Sequence, residues 1–571
     1  MDNREIARIF AEISDMLAIK GENRHRVLAY RRASEAIAHL ERQVADVWRE
    51  AALTDIPGIG AVLAEKIQEL LSTGDLAFYQ RLKAEVPPGV VQMLQVPDVG
   101  PKTAGRLWQE LGLTSVEALE EAARSGRVQA LPGMGARTEA RILAGIEAMR
   151  RQSDRAPLGL AWFLAQELIA TLRTVPGVRR IEPAGSLRRM RETVHDLDLL
   201  VAAENPAPVM ACFRELPQVA EVLLSGDTKT AVRTQQGLQV DVRVLPPDRW
   251  GTGLQYFTGN QAHNIHLRGL AREQGLSLSE YALKRADGSE ILCAGEEEVY
   301  RHLGLPFIPP ELREDRGEIE AALAGKLPRL IRRSDLRGDL QMHTTWSDGR
   351  NPVAEMAKAA RSRGLRYIAI TDHSYGMGVA GGLNEEELQQ QRAEIAAVNA
   401  RYDDFRILAG SEVEIRADGA LDFADEVLAG LDLVVASLHT GLRSGRERTT
   451  ERVLAAVRNP HVDILAHPTG RLIGRREGAD LDMEAVLQAA AETGTIIEIN
   501  AHPDRLDLSD VYVRRAVELG VKLAINSDAH QAQAMDLLFF GVATARRGWA
   551  TPAEVVNSWE LDKLLAWLKR E

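Results

Sequence analysis

The stretch GSLRRMRETVHDLDLL, residues 185–200, decides how the middle of the chain is read. Its end runs on as DLDLLVAA (196–203), an apolar run with alternating acids bounded by turn residues, which predicts a strand. Side chains two apart on a strand share a face, so Asp196 and Asp198 present two carboxylates side by side. A second predicted strand, GLQVDVRVL (237–245), carries Asp241 between apolar neighbours. If the two strands pair, three carboxylates meet on one patch. Such a patch repels itself unless cations fill it, which implies a pair of Mg²⁺ or Mn²⁺ ions. Two such ions suit in-line nucleotidyl transfer, one activating a 3′-hydroxyl and the other steadying the leaving pyrophosphate. An Asp-x-Asp alone is common on alternating surface strands. Gly185-Ser186 and Arg188-Arg189 ahead of it supply the specificity. The glycine lets backbone approach a triphosphate, and Ser186 with an arginine can bind its terminal phosphates.

These residues resemble the nucleotidyltransferase palm of family X DNA polymerases. Gly185, Ser186, Arg189, Asp196 and Asp198 match that family's signature at its usual spacing. Met190 departs from it, standing where a glycine commonly follows the second arginine, and is expected to alter the triphosphate pocket without removing it. The match continues in YFTGNQAHNIHLR (256–268), which is similar to the family's thumb segment. The resemblance implies Tyr256 and Phe257 against the incoming sugar, with Gly259 beside them. It also implies Asn264 at the minor-groove edge of the incoming base and Arg268 on the template strand. Palm and thumb are assigned to 151–245 and 246–316, an α+β pair.

Residues 1 to about 150 read as short helices joined by glycine-bearing turns, without a convincing period-2 strand. IPGIGAVLAEKI (56–67), VPDVGPKTAGRLW (96–108) and LPGMGARTEARIL (131–143) share one pattern, an apolar residue, a glycine turn and an amphipathic helix. Backbone N–H groups at such turns, beside a positive helix end, seat a phosphate. Gly58, Gly60, Gly100, Gly133 and Gly135 are the expected positions. The three segments resemble helix-hairpin-helix motifs, which grip the DNA backbone without reading sequence. Residues 1–88 resemble the family's small domain that binds a 5′-phosphate at a gap, and 89–150 its fingers. KGENRHRVLAYRRA (20–33) supplies Arg24, Arg26, Arg31 and Arg32 for that phosphate. Lys66 aligns with the lysine that forms a Schiff base in members with lyase activity, while Val62 replaces a basic residue of the same pocket. Whether Lys66 is a solvated helix lysine, a phosphate contact or a nucleophile is left open by the sequence.

Beyond a charged linker (317–334), strands and helices alternate to the C-terminus, the signature of an α/β barrel or layered sheet. Seven apolar runs each end in possible metal ligands: RGDLQMHT (337–344), YIAITDH (367–373), ILAGSEVEI (407–415), DLVVASLH (432–439), VDILAHP (462–468), TIIEINAH (495–502) and KLAINSDAH (522–530). Barrel enzymes place chemistry at the C-terminal ends of their strands, where the loops converge. Imidazoles and carboxylates without thiolates suit Mn²⁺, Zn²⁺ or Fe, and a multinuclear site of this kind hydrolyses phosphoesters.

The pattern resembles the PHP (polymerase and histidinol phosphatase) domain, a distorted (β/α)7 barrel with two or three divalent metals. The resemblance covers 335–571 and implies His343, Asp348, His373, Glu412, His439, His467, Asp528 and His530 as ligands. One position departs. The family opens His-x-His, and here Gln341-Met342-His343 stands instead. An amide is a poor substitute for imidazole, so one metal is expected to bind weakly or to be absent. Glu414 and His502 are adjacent extras, and His461 precedes its strand and is excluded.

A chain of 571 residues exceeds one ordinary core and predicts three or more domains. The net charge of −12 decides nothing, because Asp and Glu are also the residues that hold catalytic cations. Two cysteines, Cys212 and Cys293, form no disulfide framework. No apolar run reaches the roughly 18 residues that span a bilayer, and MDNREIARIF does not read as a signal peptide. A cytoplasmic monomer is expected. Taken together, the two resemblances imply a repair polymerase that fills short gaps, taking dNTPs and gapped or primer-template DNA, with a 3′-5′ exonuclease in the PHP domain. The rivals make that domain a small-molecule phosphatase or an inactive clamp.

Overall fold

A computed structural model of the chain describes residues 3–568 apart from 39–42, 51, 57, 97–98, 154 and 378–379. It divides into two compact units, Met1–Asp154 and Arg155–Glu571.

The first unit is helical throughout its described residues. Helices α1 (Asn3–Ile19) and α2 (Arg24–Ala38) pack through Phe10, Ile13, Tyr30 and Ala33, followed by α3 (Ala61–Thr73), α4 (Ala77–Glu85), α5 (Pro101–Leu111) and α6 (Ala136–Ser153). The three repeated segments fold alike. Each makes a turn in which an N–H donates back three residues, Ile59 to Ile56, Val99 to Val96 and Met134 to Leu131. The donors' side chains are buried and anchor the turn. Gly58 and Gly133 adopt φ of 84° and 80°, a left-handed conformation costly for any residue with a Cβ. Gly60 and Gly100 are the N-caps of α3 and α5, and Gly135 precedes α6. Pro57 and Pro97-Asp98 of the quoted segments lie outside the described residues.

In the second unit, a five-stranded sheet contains β1 (Val178–Pro183), β2 (Asp196–Ala203), β3 (Val219–Ser225), β4 (Lys229–Thr234) and β5 (Gln239–Leu245), in the order β1-β2-β5-β4-β3. Only β2 and β5 run parallel. Helix α7 (Leu158–Leu172) buries Leu164, Leu168 and Leu172 with the sheet, and the short α8 (Gly185–Arg188) leads into β2. The helices α9 (Trp250–Thr258) and α10 (Gln261–Glu273) follow. A small antiparallel sheet, β6 (Leu276–Leu278), β7 (Leu283–Arg285) and β8 (Glu290–Ile291), completes this region.

The remainder is a parallel barrel of β9 (Gly338–Asp339), β10 (Tyr367–Ile370), β11 (Arg406–Glu414), β12 (Leu433–Ser437), β13 (Ile464–Leu465), β14 (Ile496–Asn500) and β15 (Leu523–Asn526), paired in sequence order. Its two edges meet through a Met342–Ala529 bridge, leaving it nearly closed. The helices α11 (Asp510–Leu519) and α12 (Leu538–Arg547) flank its last strands. Leu506, Phe540 and Ala543 from this half join the core beneath the five-stranded sheet, so the two halves share apolar packing. A side chain such as Phe540 contributes roughly 1.5–3 kcal/mol by burial. Cys212 and Cys293 are unpaired. Among the described residues, no helix is long and apolar enough to cross a membrane.

Candidate active sites

The parallel register of β2 and β5 sets Asp198 opposite Asp241 and Asp196 opposite Gln239. Leu197 and Leu199 turn into the core, so Asp196 and Asp198 share the other face as the alternation predicts. Burial first, then the charges of Asp196 and Asp241, push the Asp198 carboxyl up to about 7. A carboxyl held this reluctant to ionise between two others is the electrostatic setting that a divalent cation relieves, and the donor set fits one. Ala184, Asp198, Lys229, Asp241, Arg243 and Phe257 line a cavity of about 70 Å³.

Two cations here escaped the sequence reading. Lys229 ion-pairs with Asp241, and cross-strand pairing sets Lys229 beside Arg243. The available signal was the alternation of KTAVRT (229–234), which becomes informative only once its antiparallel register against β5 is known.

Gly185 has a role the sequence did not reveal. Its φ is 57°, and a Cβ there would collide with the Asp198 carboxylate. Met190 explains why a glycine is common at its position, because its φ is 55°. The left-handed conformation costs about 1–2 kcal/mol for such a residue. Burial of its side chain in the core under the sheet offsets that strain.

Both arginines of the signature are engaged. Arg188 makes a two-pronged contact with Glu296, at 2.9 and 2.6 Å, and donates to Thr258. Arg189 donates to Glu314 at 3.1 Å and to the Thr258 carbonyl, and Gly259 lies against it, within 3.2 Å of Nη1 for a Cβ built there. Ser186 is half-buried on α8. Tyr256 and Phe257 meet edge-on, with ring centroids 5.0 Å apart. Arg243 lies over Phe257 and Arg268 over Tyr256. Asn264 is occupied at both ends, donating to the Tyr256 carbonyl and accepting from Gln255, each at 2.8 Å. It therefore braces the aromatic pair in this structure instead of projecting away from it.

In the first unit the basic residues separate. Lys66, Arg26 and Arg81 surround the Phe78 ring at 4.4, 5.3 and 5.5 Å. Burial, together with the charges of Arg26 and Arg81, pulls the Lys66 ammonium below its usual range. Arg31 pairs with Asp15, Arg24 and Arg32 are exposed on α2, and Val62 is exposed. Phe78 and Arg81 were not singled out from sequence, since only the fold of α4 brings them to α3.

The second site gathers all eight expected residues at the C-terminal ends of the barrel strands. Glu412 is the hub, with His343, His373, His439 and His467 nitrogens at 3.3, 3.4, 3.4 and 3.1 Å from its oxygens. Asp528 lies 3.2 Å from His343, and Asp348 lies 3.3 Å from His530 and 3.7 Å from His373. Three overlapping ligand groups result: His343/Asp348/His373/His530, His373/Glu412/His439 and His343/Glu412/Asp528.

Burial opposes ionisation of Glu412, yet His373 and His439, with a hydrogen bond from His467 at 3.1 Å and His343 standing 3.3 Å away, hold it well below the usual carboxylate range. Asp528 is likewise held far down despite burial. Burial drops the His373 imidazole to about 4, whereas Asp528 and Glu412 raise the His343 imidazole well above its usual range despite its burial. Glu414 bonds His439 Nδ1 at 3.0 Å and Thr440, so it orients a ligand. Beneath lies Glu498, which the sequence reading passed over. Burial and the charges of Asp528 and Glu412 raise it well above an ordinary glutamate.

His343 Nδ1, His373 Nδ1, His467 Nδ1, Glu412 Oε2 and both amide atoms of Gln341 are buried without a hydrogen-bond partner among the described residues. Leaving one such atom unsatisfied costs about 1–3 kcal/mol, so this density of them fits a site built for cations. Gln341, two residues before His343, is itself fully buried. His502 stands near Asp528 and Arg505, and His461 precedes β13, outside the cluster.

A paired-acid palm with its following helical thumb, joined to a histidine-rich parallel barrel, defines a nucleotidyltransferase fused to a PHP phosphoesterase fold. Family models agree: a helix-hairpin-helix domain matches residues 1–76, a SAM-like helix-hairpin-helix tandem 90–148, the DNA polymerase beta thumb 253–314 and the PHP domain 339–502. The chain is 40% identical to the DNA polymerase/3′-5′ exonuclease PolX of Bacillus subtilis, with 100% of both chains covered. DNA polymerase lambda of Rattus norvegicus is 26% identical over 51% of this chain and 52% of its own. A probable phosphatase of Thermoanaerobacter sp. (strain X514) is 30% identical over 41% of this chain and 95% of its own. The chain belongs to the family X DNA polymerases that carry a C-terminal PHP domain.

Proposed function

We propose that this polymerase fills short gaps in DNA from dNTPs, as a monomer, and that its barrel trims 3′ ends. The observation that carries the reading is the pair of separate acidic centres, one on β2 and β5 and one at the barrel mouth. Divalent cations, Mg²⁺ or Mn²⁺ at Asp196, Asp198 and Asp241 and Mn²⁺, Zn²⁺ or Fe at the eight barrel ligands, would supply electrophilic activation of phosphoryl groups and of the attacking oxygen. The chain's own residues orient the substrate. Ser186 and Arg189 bind terminal phosphates, and Tyr256 and Phe257 form a wall for the sugar. The turns at Gly58, Gly60, Gly100, Gly133 and Gly135 hold DNA backbone through N–H groups. A primer labelled at its 5′ end, incubated with Mn²⁺ with and without dNTPs, tests the reading. Both lengthening and shortening support it, and absence of either removes the corresponding half.

The cations around Phe78 support a 5′-phosphate seat formed by Arg26, Lys66 and Arg81, with Arg24, Arg31 and Arg32 adding charge nearby along α2. Gapped DNA with a 5′-phosphate is expected to bind several-fold more tightly than the same gap with a 5′-hydroxyl. The difference should shrink as salt rises from about 50 to 200 mM. Equal affinity for both ends across the salt series, measured by fluorescence anisotropy, contradicts it.

A second reading, that the barrel acts on small phosphomonoesters, is favoured by its likeness to probable phosphatases over nearly their whole length. Turnover of a chromogenic phosphomonoester without shortening of primers would select it. Gln341 bears on the metal count. Gln341→His is expected to raise bound metal toward three per chain, read by elemental analysis, because imidazole replaces a weak amide donor. Unchanged metal content would mean that Gln341 is no part of the ligand set.

A further inference from the structure

We infer that Arg547, on the barrel side of the molecule, is a positioning residue for the terminal phosphates of the incoming nucleotide, acting through Glu314 and Arg189. The inference rests on the proposed role of Arg189 as a phosphate contact.

Arg547 ends α12 and is buried. Its Nη1 donates to the main-chain carbonyl of Arg189 at 2.6 Å and to Glu314 at 3.0 Å, while Nη2 donates to Asp510 at 2.8 Å. Glu314 in turn accepts from Arg189 Nε at 3.1 Å and from Asn260 at 3.1 Å, with Arg191 at 3.6 Å. Asp510 is also paired with Arg316 at 3.3 Å. The carbonyls at the end of a helix have no partner within it, and arginine side chains serve there. Arg547 does this for α8, whose C-cap is Arg189. It therefore fixes both ends of Arg189, the main chain directly and the guanidinium through Glu314.

A second observation points the same way. Glu192, three residues on, pairs at 2.7 Å with Arg471, another barrel residue that also donates to the carbonyls of Arg505 and Leu506. Between the two grips sits Met190 in its left-handed conformation. Such strain persists where surrounding contacts over-determine the backbone. The barrel thus clamps the segment Arg189–Glu192 on both sides. Losing Arg547 frees the Arg189 carbonyl and removes a counter-charge from Glu314, so the guanidinium loses its fixed aim. The cost falls on phosphate recognition and not on the paired acids.

The test uses full-length protein and single-nucleotide insertion on gapped DNA. Arg547→Gln is expected to raise the KM for dNTP about tenfold, with kcat changed less than about threefold, as for loss of one charge-assisted anchor. The preference for a deoxynucleoside triphosphate over the matching monophosphate, measured as competing ligands, should fall by a similar factor. Arg547→Lys, which keeps one donor and the charge, should recover part of it. Arg189→Gln runs in parallel. If Arg189→Gln raises KM and Arg547→Gln does not, the inference is overturned. If Arg189→Gln itself leaves KM unchanged, the phosphate reading of Arg189 has failed and the inference falls with it. Equal losses in kcat and in 3′ trimming for Arg547→Gln would show a global defect and also overturn it. Should Arg547→Gln not fold, Asp510→Asn, which loosens Arg547 while keeping it, is judged by the same KM and triphosphate-preference criteria.

Discussion

Asp198→Ala will lower nucleotide addition by about a thousandfold or more, while 3′ shortening proceeds at close to the wild-type rate. The loss is large because Asp198 sits opposite Asp241 in the parallel register and beside Asp196 on the same face, at the centre of the acid patch. Removing it takes away a shared anionic donor and leaves Lys229 and Arg243 facing a site of lower negative charge. Folding should survive, because the acid is difficult to ionise where it stands, and alanine removes a carboxyl that burial disfavours. Primer extension and thermal melting on the same preparation check both parts. Extension within tenfold of wild type would remove the paired acids from the proposed chemistry.

The second large effect is at the barrel. His373→Ala and Asp528→Ala should each reduce 3′ shortening by about two to three orders of magnitude and lower bound metal, leaving nucleotide addition intact. His373 is shared between two of the three ligand groups, and Asp528 joins a third through His343 and Glu412. Loss of His373 also takes away an imidazole that stands 3.4 Å from the Glu412 carboxylate and helps to hold it ionised under full burial. Both rates and the metal content per chain can be measured side by side. Unchanged trimming and unchanged metal in both variants would make the barrel a structural clamp.

Much of this could be seen in the sequence, because the informative patterns were local. Each barrel strand is a short apolar run ending in a ligand type, so β/α alternation and strand-end chemistry identify the site before any strand is paired. Asp196 and Asp198 share a face by the two-residue period alone. The glycine turns repeat three times, and the structure gives each the same anchored geometry.

What the sequence concealed depends on register or on distant contacts. Lys229 reaches Asp241 only through antiparallel pairing of β4 and β5. Arg81 meets Lys66 only across Phe78. Glu498 looks like any strand glutamate until its full burial beneath Asp528 and Glu412 is known. The positions of Asn264, at the Tyr256 carbonyl, and Gly185, against Asp198, likewise follow from tertiary packing. Met190 departs from the family pattern in sequence, and only its φ shows what that departure costs.

The palm and barrel centres are expected to act independently of each other within one chain. One measurement addresses this directly: a single 5′-labelled primer on a gapped template, with Mn²⁺ and dNTPs present or omitted, followed for wild type, Asp198→Ala and His373→Ala in parallel. Asp198→Ala is expected only to shorten the primer, His373→Ala only to lengthen it, and wild type to do both. Loss of both activities in either variant, with its melting curve unchanged, would show that the two centres are not independent.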